Sequence, residues 1–355
     1  MEDRKYPNVL YRFALMLSVF ILLISETVTA QDPQFSQFYA APLYLNPAFA
    51  GSTGQARVGI NYRDQWPAID ANFTTFSAYG DFYIEDKNSG LGFIINHDRE
   101  GVLGLTSTSI AIQYSYDLKI TKKFSFRPGF QAAIYNRSVN FDQLTFGDQF
   151  NSQTGQIQYT SGELLNSGQS IFFPDISMGG LLYSKNAWLG FSAFHITQPN
   201  QSVVGGYDPL PIKLSAHAGY KFFFPEGILK TGVYAVPQER SITPCIQYRH
   251  QGQWDQMDVG SYFTLEPLVV GLWYRGIPFR EVNGFANNES IVFLIGITKR
   301  GPKDVLNIGY SYDLTVSKLG PSSGGAHEFS LSYSWSTRDP RKPPKDKLII
   351  PCPKF

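Results

Sequence analysis

Charge, cysteine and long apolar runs are all scarce in this chain of 355 residues, and each shortage narrows its class. Charged side chains make up 17% of the residues and the formal net charge is +1, so no global field favours nucleic acid or another polyanion. After Ile24 there is no apolar run that approaches the length of a membrane helix, about 20 residues. The composition therefore fits poorly with a helical membrane protein and gives no support to nucleic-acid binding.

Residues that could carry catalysis or hold a metal are few and scattered. The 2 cysteines, Cys245 in a predicted strand and Cys352 near the end, are badly placed for a disulfide. Neither CxxC nor HExxH spacing occurs. Ser192 lies in GFSAF, which lacks the second glycine of a nucleophile elbow, and His195 is predicted on the opposite face of the same strand. We therefore expect no enzyme activity, no metal and no cofactor.

Apolar and polar residues alternate in many segments. Examples are SIAIQYSYDL at residues 109–118, KLSAHAGYKFFF at 213–224, VLNIGYSYDLTV at 305–316 and EFSLSYSW at 328–335. A period of two is typical of a β-strand with one apolar and one polar face. A water-soluble sandwich shows the same alternation as a membrane barrel, so the lengths of the strands and of the loops have to decide between these two classes.

The predicted strands are long and number about 14. They are 55–65, 72–83, 89–97, 105–118, 123–138, 174–184, 186–197, 212–224, 241–251, 255–265, 267–276, 289–298, 304–315 and 325–336. Most have about ten or more residues, whereas strands of soluble proteins average about six. This length favours an all-β fold, a transmembrane antiparallel β-barrel.

The connections between the strands alternate in length, as in outer-membrane barrels. The long connections on one side are Val139–Phe173, Gln198–Pro211, Ile277–Asn288 and Val316–Gly324. Those on the other side are mostly tight, except Pro225–Arg240, whose length leaves a miscounted strand open. An even number of strands returns both termini to the periplasm.

The two ends of the chain have distinct compositions. Residues 1–30 combine a charged start, an apolar run over Phe13–Ile24 and small residues before Gln31, which predicts a secretory signal peptide cleaved after Ala30; an uncleaved anchor is the alternative. Residues 31–54 are rich in aromatics and amides, and residues 55–336 form the predicted barrel. The basic, proline-rich tail 337–355 is either a solvated periplasmic tether or a docking arm for a periplasmic partner.

Three motifs resemble the PorP/SprF family of the type IX secretion system of Bacteroidota: FSQFYAAPLYLNPAFAG at 35–51, GYSYDLTVSKLG with GGAHEFSLSYSW near the end, and the terminal PCPKF. The resemblance implies a non-enzymatic outer-membrane barrel that helps to secrete or anchor substrate proteins, such as gliding adhesins, at the cell surface. Implied partners are a secreted protein with a type IX C-terminal sorting domain, periplasmic or outer-membrane components of the system, and outer-membrane lipid.

The N-terminal motif also resembles the start of fatty-acid-transporter barrels, in which the N-terminus packs inside as a hatch. A FadL-like transporter of hydrophobic small molecules is therefore the alternative function, and a general porin is a third. Asn46 before Pro47 favours an Asx-type turn followed by a helical turn. We accordingly predict that residues 31–54 form a plug inside the barrel, with a periplasmic linker as the competing interpretation.

Three sets of candidate residues follow. The predicted plug residues are Phe35, Gln37, Phe38, Tyr39, Tyr44, Asn46, Pro47 and Phe49. The C-terminal family motif contributes Tyr310, Tyr312, Asp313, Lys318, Gly320, Gly324, Gly325, His327 and Glu328. Candidate contact residues for cargo on the surface loops are Phe146, Phe150, Tyr159 and Phe172.

Overall fold

The structure is a computed structural model that describes residues 31–101, 104–139, 170–203, 205–224, 239–282, 285–317, 319–337 and 348–353, with the backbone alone for 278–282 and 285–286. The predicted signal peptide at residues 1–30 lies outside these ranges. Pro33–Phe355 forms one structural unit, separate from Met1–Asp32. No helix in the described part of the chain has the length and apolar character needed to cross a membrane.

The described residues of Pro33–Phe355 are dominated by one antiparallel sheet of 16 strands. The strands are β1 (Ala56–Gln65), β2 (Phe73–Ile84), β3 (Ser89–Glu100), β4 (Leu105–Tyr116), β5 (Leu118–Lys119), β6 (Ser125–Ser138), β7 (Ser170–Tyr183), β8 (Ala187–Phe194), β9 (Lys213–Tyr220), β10 (Phe222–Phe223), β11 (Arg240–Gln251), β12 (Trp254–Leu265), β13 (Leu268–Val282), β14 (Phe285–Arg300), β15 (Asp304–Thr315) and β16 (Ala326–Trp335).

The sheet closes into a barrel because β16 pairs with β1, from Ala56 opposite Trp335 to Gln65 opposite Ala326. Two strands are short continuations: β5 follows β4 along β6, and β10 follows β9 along β11. Counted with their predecessors, they leave 14 barrel strands, which confirms the predicted all-β barrel. A closed ring has no edge, so each strand can pair its backbone groups on both sides.

The faces of the strands have the polarity of a membrane barrel. In β1 the side chains of Val58 and Ile60 are exposed, while those of Arg57, Asn61 and Arg63 are buried. A water-soluble protein distributes these residue types the other way round. The interior is therefore polar and the outer face is apolar, as in barrels that face lipid.

Aromatic side chains mark both ends of the barrel on its outer face. We name the end at which β1 begins the lower end and the opposite one the upper end. Exposed aromatics near the lower end include Tyr116, Tyr220 and Trp335, and those near the upper end include Tyr62, Tyr248 and Trp254. Aromatic girdles of this kind lie at the two membrane–water interfaces of outer-membrane barrels.

The residues ahead of β1, 33–54, are here called the N-terminal segment. They form a short α-helix, α1 (Pro42–Leu45), and a 3₁₀ turn at Pro47–Phe49. Each turn starts with proline, whose fixed φ suits a first helical position. The Asn46 side chain accepts a hydrogen bond from the backbone N–H of Ala48 at 2.9 Å, so the predicted Asx turn and helical turn are confirmed. The segment is buried from Phe35 to Ser52 except for partly buried Tyr44.

One predicted loop is wrong. Residues 277–288 do not form a long connection, because β13 continues to Val282 and β14 begins at Phe285. The pairing of β13 with β14 persists across two register shifts, the first between Arg275 and Gly276. Gly276 has φ 143°, a conformation open to glycine, and this lets the strand bulge and then resume its pairing.

Other predicted connections are resolved only in part. Of the loop Val139–Phe173, residues 140–169 lie outside the described ranges, and residues 170–173 already belong to β7. Of Pro225–Arg240, residues 225–238 lie outside them, while the strand count of 14 agrees with the prediction.

The predicted placement of Ser192 and His195 on opposite strand faces is also wrong. The chain leaves β8 after Phe194, and His195 takes φ 59°, so alternation stops before it and both side chains are buried. The Ser192 hydroxyl donates to the carbonyl oxygen of Leu45 at 3.1 Å, whereas His195 Nδ1 lies 3.1 Å from a carboxylate oxygen of Asp175. Each residue thus has its own structural contact.

The last described residues, 348–353, return to the protein interior. Ile350 is 2% exposed and belongs to the same buried apolar cluster as Tyr39 and Cys245, and Leu348 packs against that cluster. For these residues the predicted solvated tether is wrong, because their apolar side chains find a buried contact. The intervening tail residues 338–347 lie outside the described ranges.

Candidate functional site: the N-terminal segment and its seat

The first part of the N-terminal segment is bound by a buried carboxylate. Glu328 accepts hydrogen bonds from the backbone N–H groups of Ser36 and Gln37, at 2.7 and 2.9 Å. The amide of Gln37 donates to the Glu328 carbonyl oxygen at 2.9 Å, and Ser330 Oγ donates to Gln37 Oε1 at 2.7 Å. The same carboxyl group lies 3.3 Å from the Arg63 guanidinium, and hydrogen bonds to a charged group are about twice as strong as neutral ones.

A group of buried charges surrounds the Ser36 hydroxyl, and we call it the upper charge cluster. It comprises Arg63, Asp258, Arg275, Asp313 and Glu328. The two guanidinium groups donate to Ser36 Oγ at 2.7 and 2.9 Å, and Ser36 donates to Asp313 at 2.6 Å.

Two further charged side chains border this cluster: Arg249 pairs with Asp258 at 2.8 Å, and Glu289 lies 3.8 Å from Arg275. Glu328 meets the two backbone N–H donors of the N-terminal segment. A buried charge is stable only when it is paired and hydrogen-bonded, so the segment completes the cluster as well as being held by it.

Aromatic rings fill the middle of the lumen around Tyr39. Its ring packs edge-on against Trp188 at 5.7 Å and His217 at 5.9 Å, and Trp188 Nε1 donates to the Tyr39 hydroxyl at 2.8 Å. Phe38 packs edge-on against Trp273 at 4.9 Å. These contacts join the segment to β8, β9 and β13.

Side chains of the barrel wall also satisfy the backbone of the segment. Tyr79 donates to the carbonyl oxygen of Ala40 at 2.9 Å, and Gln113 donates to that of Leu43 at 2.7 Å. The Asn46 amide donates to two wall carbonyl oxygens, those of Gly180 at 3.2 Å and Phe191 at 2.9 Å. An irregular segment can be buried only when its backbone groups find such partners.

Glycines in the wall make room for the segment. A Cβ atom on Gly129 would lie 2.2 Å from the backbone nitrogen of Ala48, and one on Gly90 would lie 2.0 Å from the carbonyl oxygen of Ala50. On Gly179 it would lie 2.1 Å from Asn46 Oδ1. These separations are far below a van der Waals contact, so β3, β6 and β7 can approach the segment only with glycine at these positions.

The last turn of the segment is bound at the lower end. Arg127 and the Ser115 hydroxyl both donate to the carbonyl oxygen of Ala50, at 2.6 and 2.7 Å. The backbone N–H of Gly51 donates to Asp81 at 2.7 Å, and Asp81 is paired with Arg57 at 2.8 Å. A second pair of charged side chains thus holds the point at which the chain turns into β1.

The two anchoring points lie at different heights. Glu328 is the third residue of β16 and lies near the upper end, whereas Asp81 and Arg127 lie near the lower ends of β2 and β6. The N-terminal segment therefore runs lengthwise through the ring before the chain enters the wall at Ala56. The structure brings together Phe35, Gln37, Phe38, Tyr39, Asn46, Pro47 and Phe49 as buried residues, with Tyr44 half-buried.

The predicted residues of the C-terminal motif divide between the two faces of the wall. Asp313 and Glu328 point inward to the N-terminal segment, whereas Tyr310 and His327 lie on the outer face, hydrogen-bonded at 2.8 Å. Tyr312 packs on the His327 ring at 5.1 Å. The turn between β15 and β16 contains Gly320, Gly324 and Gly325, all with positive φ, and Lys318 lies outside the described residues.

The remaining predicted residues are placed as follows. Phe172 lies on the outer face of β7 near the upper end and is 74% exposed. Phe146, Phe150 and Tyr159 lie outside the described residues. The two YSYDL motifs lie at opposite ends of the barrel, since the first closes β4 at the lower end and the second precedes the upper end of β15.

Sequence reasoning missed the inward arginines Arg57, Arg63, Arg127 and Arg275. A signal in the sequence could have predicted their inward position: each is a charged residue on the polar face of a strand whose other face is strongly apolar. In the described part of the chain, no group of three or more His, Cys, Asp or Glu residues could hold a metal ion.

A closed barrel with an apolar outer face, a polar interior and aromatics at both ends defines an outer-membrane β-barrel. The chain belongs to the family described as type IX secretion system membrane protein PorP/SprF, whose family model matches residues 27–333. It is thus an outer-membrane barrel of the type IX secretion system, as the sequence motifs predicted.

Several solved structures are similar to this chain. The toluene transporter TbuX of Ralstonia pickettii matches with 10% identity and a TM-score of 0.47, covering 84% of this chain and 94% of that one. The monoaromatic hydrocarbon channel CymD has 12% identity, a TM-score of 0.47 and coverages of 84% and 93%. The toluene transporter TodX of Pseudomonas putida has 11% identity, a TM-score of 0.43 and coverages of 86% and 95%. The comparison with curated proteins found no match.

Proposed function

We propose that this barrel receives or anchors a secreted protein at the cell surface, and that the cargo carries the C-terminal sorting domain of type IX substrates. Gliding adhesins are the cargo class we favour, with other components of the secretion system as further partners. Membership of the family supports a role in secretion. The observation that carries the proposal is the N-terminal segment, which runs through the lumen and is bound near both ends.

In this proposal the N-terminal segment is a plug and the lumen is not a conduit. A polypeptide in transit would have to displace the hydrogen bonds of Ser36 and Gln37 to Glu328 and those of Ala50 to Arg127 and Ser115. Breaking buried, charge-assisted contacts at both anchoring points is costly. A barrel closed in this way can hold a partner at its mouth without passing it through.

We place the upper end outside the cell. The connections at residues 66–72, 195–212 and 316–325 lie at this end and are longer than the tight turns at 85–88, 184–186 and 301–303 at the other. Outer-membrane barrels have long extracellular loops and short periplasmic turns. The exceptions are the long connection between β10 and β11 at the lower end and three short upper-end connections, those between β3 and β4, β11 and β12, and β13 and β14. This orientation puts both chain entry into β1 and the end of β16 on the periplasmic side.

Phe172 is our candidate cargo contact among the described residues. Its ring is 74% exposed at the upper end, where a partner bound outside the cell would meet it. Exposed aromatic side chains are frequent anchors of protein interfaces. Phe146, Phe150 and Tyr159 remain candidates of the same kind.

The test is a mild-detergent pull-down of the tagged protein from its own outer membrane, followed by mass spectrometry. We expect a large secreted protein with a type IX sorting domain to be recovered, and Phe172→Ser to lower its recovery about tenfold, the loss of one moderate contact. The matched control is Phe223→Ser, because Phe223 is similarly aromatic and exposed but lies at the lower end.

Two outcomes would count against the proposal. Recovery of the barrel alone, also after cross-linking, would remove the secretion role and leave the small-molecule transporter to be tested. An equal loss with Phe172→Ser and Phe223→Ser would show that the upper-end surface is not the specific contact.

A further inference from the structure

The C-terminal residues 348–353 contribute to the buried interior of the barrel. Ile350 is 2% exposed, and Pro351 and Pro353 are buried, while their neighbour Ile349 is 52% exposed. Residues 350–353 are thus buried or partly buried, while Ile349 faces solvent. Proline has no backbone N–H, so the two prolines remove two donors that burial would otherwise leave to be satisfied.

The seat of these residues is in the lower part of the lumen. Leu348 and Cys352 pack against the buried cluster that contains Cys245 of β11 and Val269 of β13. Val269 is the second residue of β13, which starts at the lower end, and thus marks that end. The tail also leaves the wall at this end, after Trp335.

The helical turns of the N-terminal segment pack on another side of the ring. Its 3₁₀ turn contacts β4, β6 and β7, and α1 contacts β3. The two segments meet in the apolar cluster that includes Phe38, Tyr39 and Ile350. The lower part of the lumen is therefore filled from two sides, by two parts of the chain that are far apart in sequence.

The forces that hold the two segments differ in kind. The N-terminal segment is bound through carboxylates and guanidinium groups at both anchoring points. Residues 348–353 instead place Leu348, Ile350 and Cys352 in or against a cluster of buried apolar and aromatic side chains. Apolar contacts of a short segment are weaker than charge-assisted anchoring at two points, so the tail can leave first.

We propose that residues 348–353 are a second closure of the lower end of the lumen, seated independently of the N-terminal segment. This goes beyond the role of the N-terminal plug and does not depend on it. The 12 residues between Trp335 and Leu348 can span about 40 Å when extended, so the closure can leave the lumen while the wall stays paired. Its occupant is the segment 348–353 of the same chain, and its release uncovers Cys245 on the periplasmic side.

The experiment measures the maleimide labelling of Cys245 in outer-membrane vesicles. All chains carry Cys352→Ser, so that Cys245 is the reactive cysteine. Ile350→Asp forces a carboxylate into the buried position, and we expect labelling to become about 100-fold faster, because burying an unpaired charge is strongly unfavourable. Ile349→Asp is the matched control, with the same change at the exposed neighbour, and should label at the parent rate.

Independence from the N-terminal segment is tested by a second reporter. Ala41→Cys, at a position 1% exposed, replaces the reactive thiol in a Cys245→Ala, Cys352→Ser background. We expect it to stay protected when Ile350→Asp is added. A chain that ends at Lys347 removes the closure without adding a charge, and it should give the same two results. Heat-modifiable mobility on gels checks that each barrel is folded.

Three results would overturn the proposal. One is that maleimide labels Cys245 at the parent rate both in Ile350→Asp and in the chain that ends at Lys347. Another is that Ile349→Asp accelerates the labelling of Cys245 as much as Ile350→Asp does, because burial of residue 350 would then not be the cause. The third is exposure of Ala41→Cys together with Cys245, which would make the two segments a single closure.

Discussion

Individual side chains of the wall decide how tightly the N-terminal segment is held. Glu328 and Ser330 are inward neighbours on β16, and both bind the segment, the first through a carboxyl group that also pairs with Arg63 and the second through a neutral hydroxyl. The pair allows a direct comparison of charged and neutral contacts in the same strand. The carboxyl group should dominate, since its loss removes a partner of the buried Arg63 guanidinium.

Glu328→Ala should loosen the start of the segment. The change removes the acceptor of two backbone N–H groups and one partner of Arg63. We expect a local loss of about 3 kcal/mol, which corresponds to roughly 100-fold faster hydrogen exchange at residues 36–40. Exchange followed by mass spectrometry measures it.

Ser330→Ala is the matched control for Glu328→Ala. It removes one neutral hydrogen bond to Gln37 and should cost about 1 kcal/mol. Equal exchange rates in the two variants would contradict the charge-assisted anchoring.

Gly129 allows the wall to approach the segment, and its replacement tests that fit. In Gly129→Ala the new Cβ would meet the backbone of Pro47 and Ala48 at 2.5 and 2.2 Å, where no flexible side chain can move aside. We expect a cost of about 1–3 kcal/mol and faster exchange at residues 46–51.

Gly80→Ala serves as the control for Gly129→Ala. Its Cβ would meet its nearest neighbours at an ordinary 3.7 Å, so exchange of the segment should stay at the wild-type rate. If hydrogen exchange at residues 46–51 were also unchanged in Gly129→Ala, the wall would have moved to admit the new methyl group, and the close fit would be contradicted.

The N-terminal segment as an element owes its structure to the barrel. Helical turns of 4 and 3 residues are far too short to be stable alone. Side chains of the wall support the segment instead. Those of β2, β4 and β8 donate hydrogen bonds to its carbonyl oxygens, and Trp273 of β13 packs on the ring of Phe38. An element of this kind can be removed with little effect on the pairing of the strands.

Deletion of residues 33–50 should open the lumen while leaving a folded barrel. The pairing of β1 with β16 begins only at Ala56, so wall closure is retained. In planar lipid bilayers we expect stepwise ion conductance from the deleted chain and little from the full chain, because the deletion removes the side chains that occupy the lumen. Equal conductance of the two folded chains would contradict the plug.

The whole molecule is stabilised by an outer face that suits lipid. Ile112 lies on this face within β4 and is 65% exposed, whereas Ile120 lies in the lower turn after β5 and is 59% exposed. The two residues have the same side chain and similar exposure but differ in height. A charge should therefore be costly at the first position and tolerated at the second.

Ile112→Arg should destabilise the barrel in lipid by about 2–4 kcal/mol, and Ile120→Arg by at most about 1 kcal/mol. Equilibrium unfolding in lipid vesicles measures both. Equal effects would contradict a membrane-centred position of Ile112.

Much of the molecule was predictable because it follows from local pattern. Strands such as β1, β4 and β16 are predictable from their alternation and length. The Asx turn at Asn46 is predictable from the proline that follows it. The bulged extension of β13 was missed, since Gly276 and Pro278 signal an end to a strand unless its partner keeps pairing beyond them. His195 was misplaced because alternation does not reveal where a strand ends.

The sequence by itself determined the wall of this protein: an antiparallel barrel of 14 strands with an apolar outside and a polar inside, and its family. Periodicity, strand length and motifs are local properties, so they can be read along the chain. Only the tertiary structure decided what lies within the ring. The contact of Ser36 with Glu328 joins residues 292 apart, and Ile350 meets the cluster of Tyr39 across most of the chain. Such contacts exist only once the ring has closed, because closure is what brings inward faces from distant strands together.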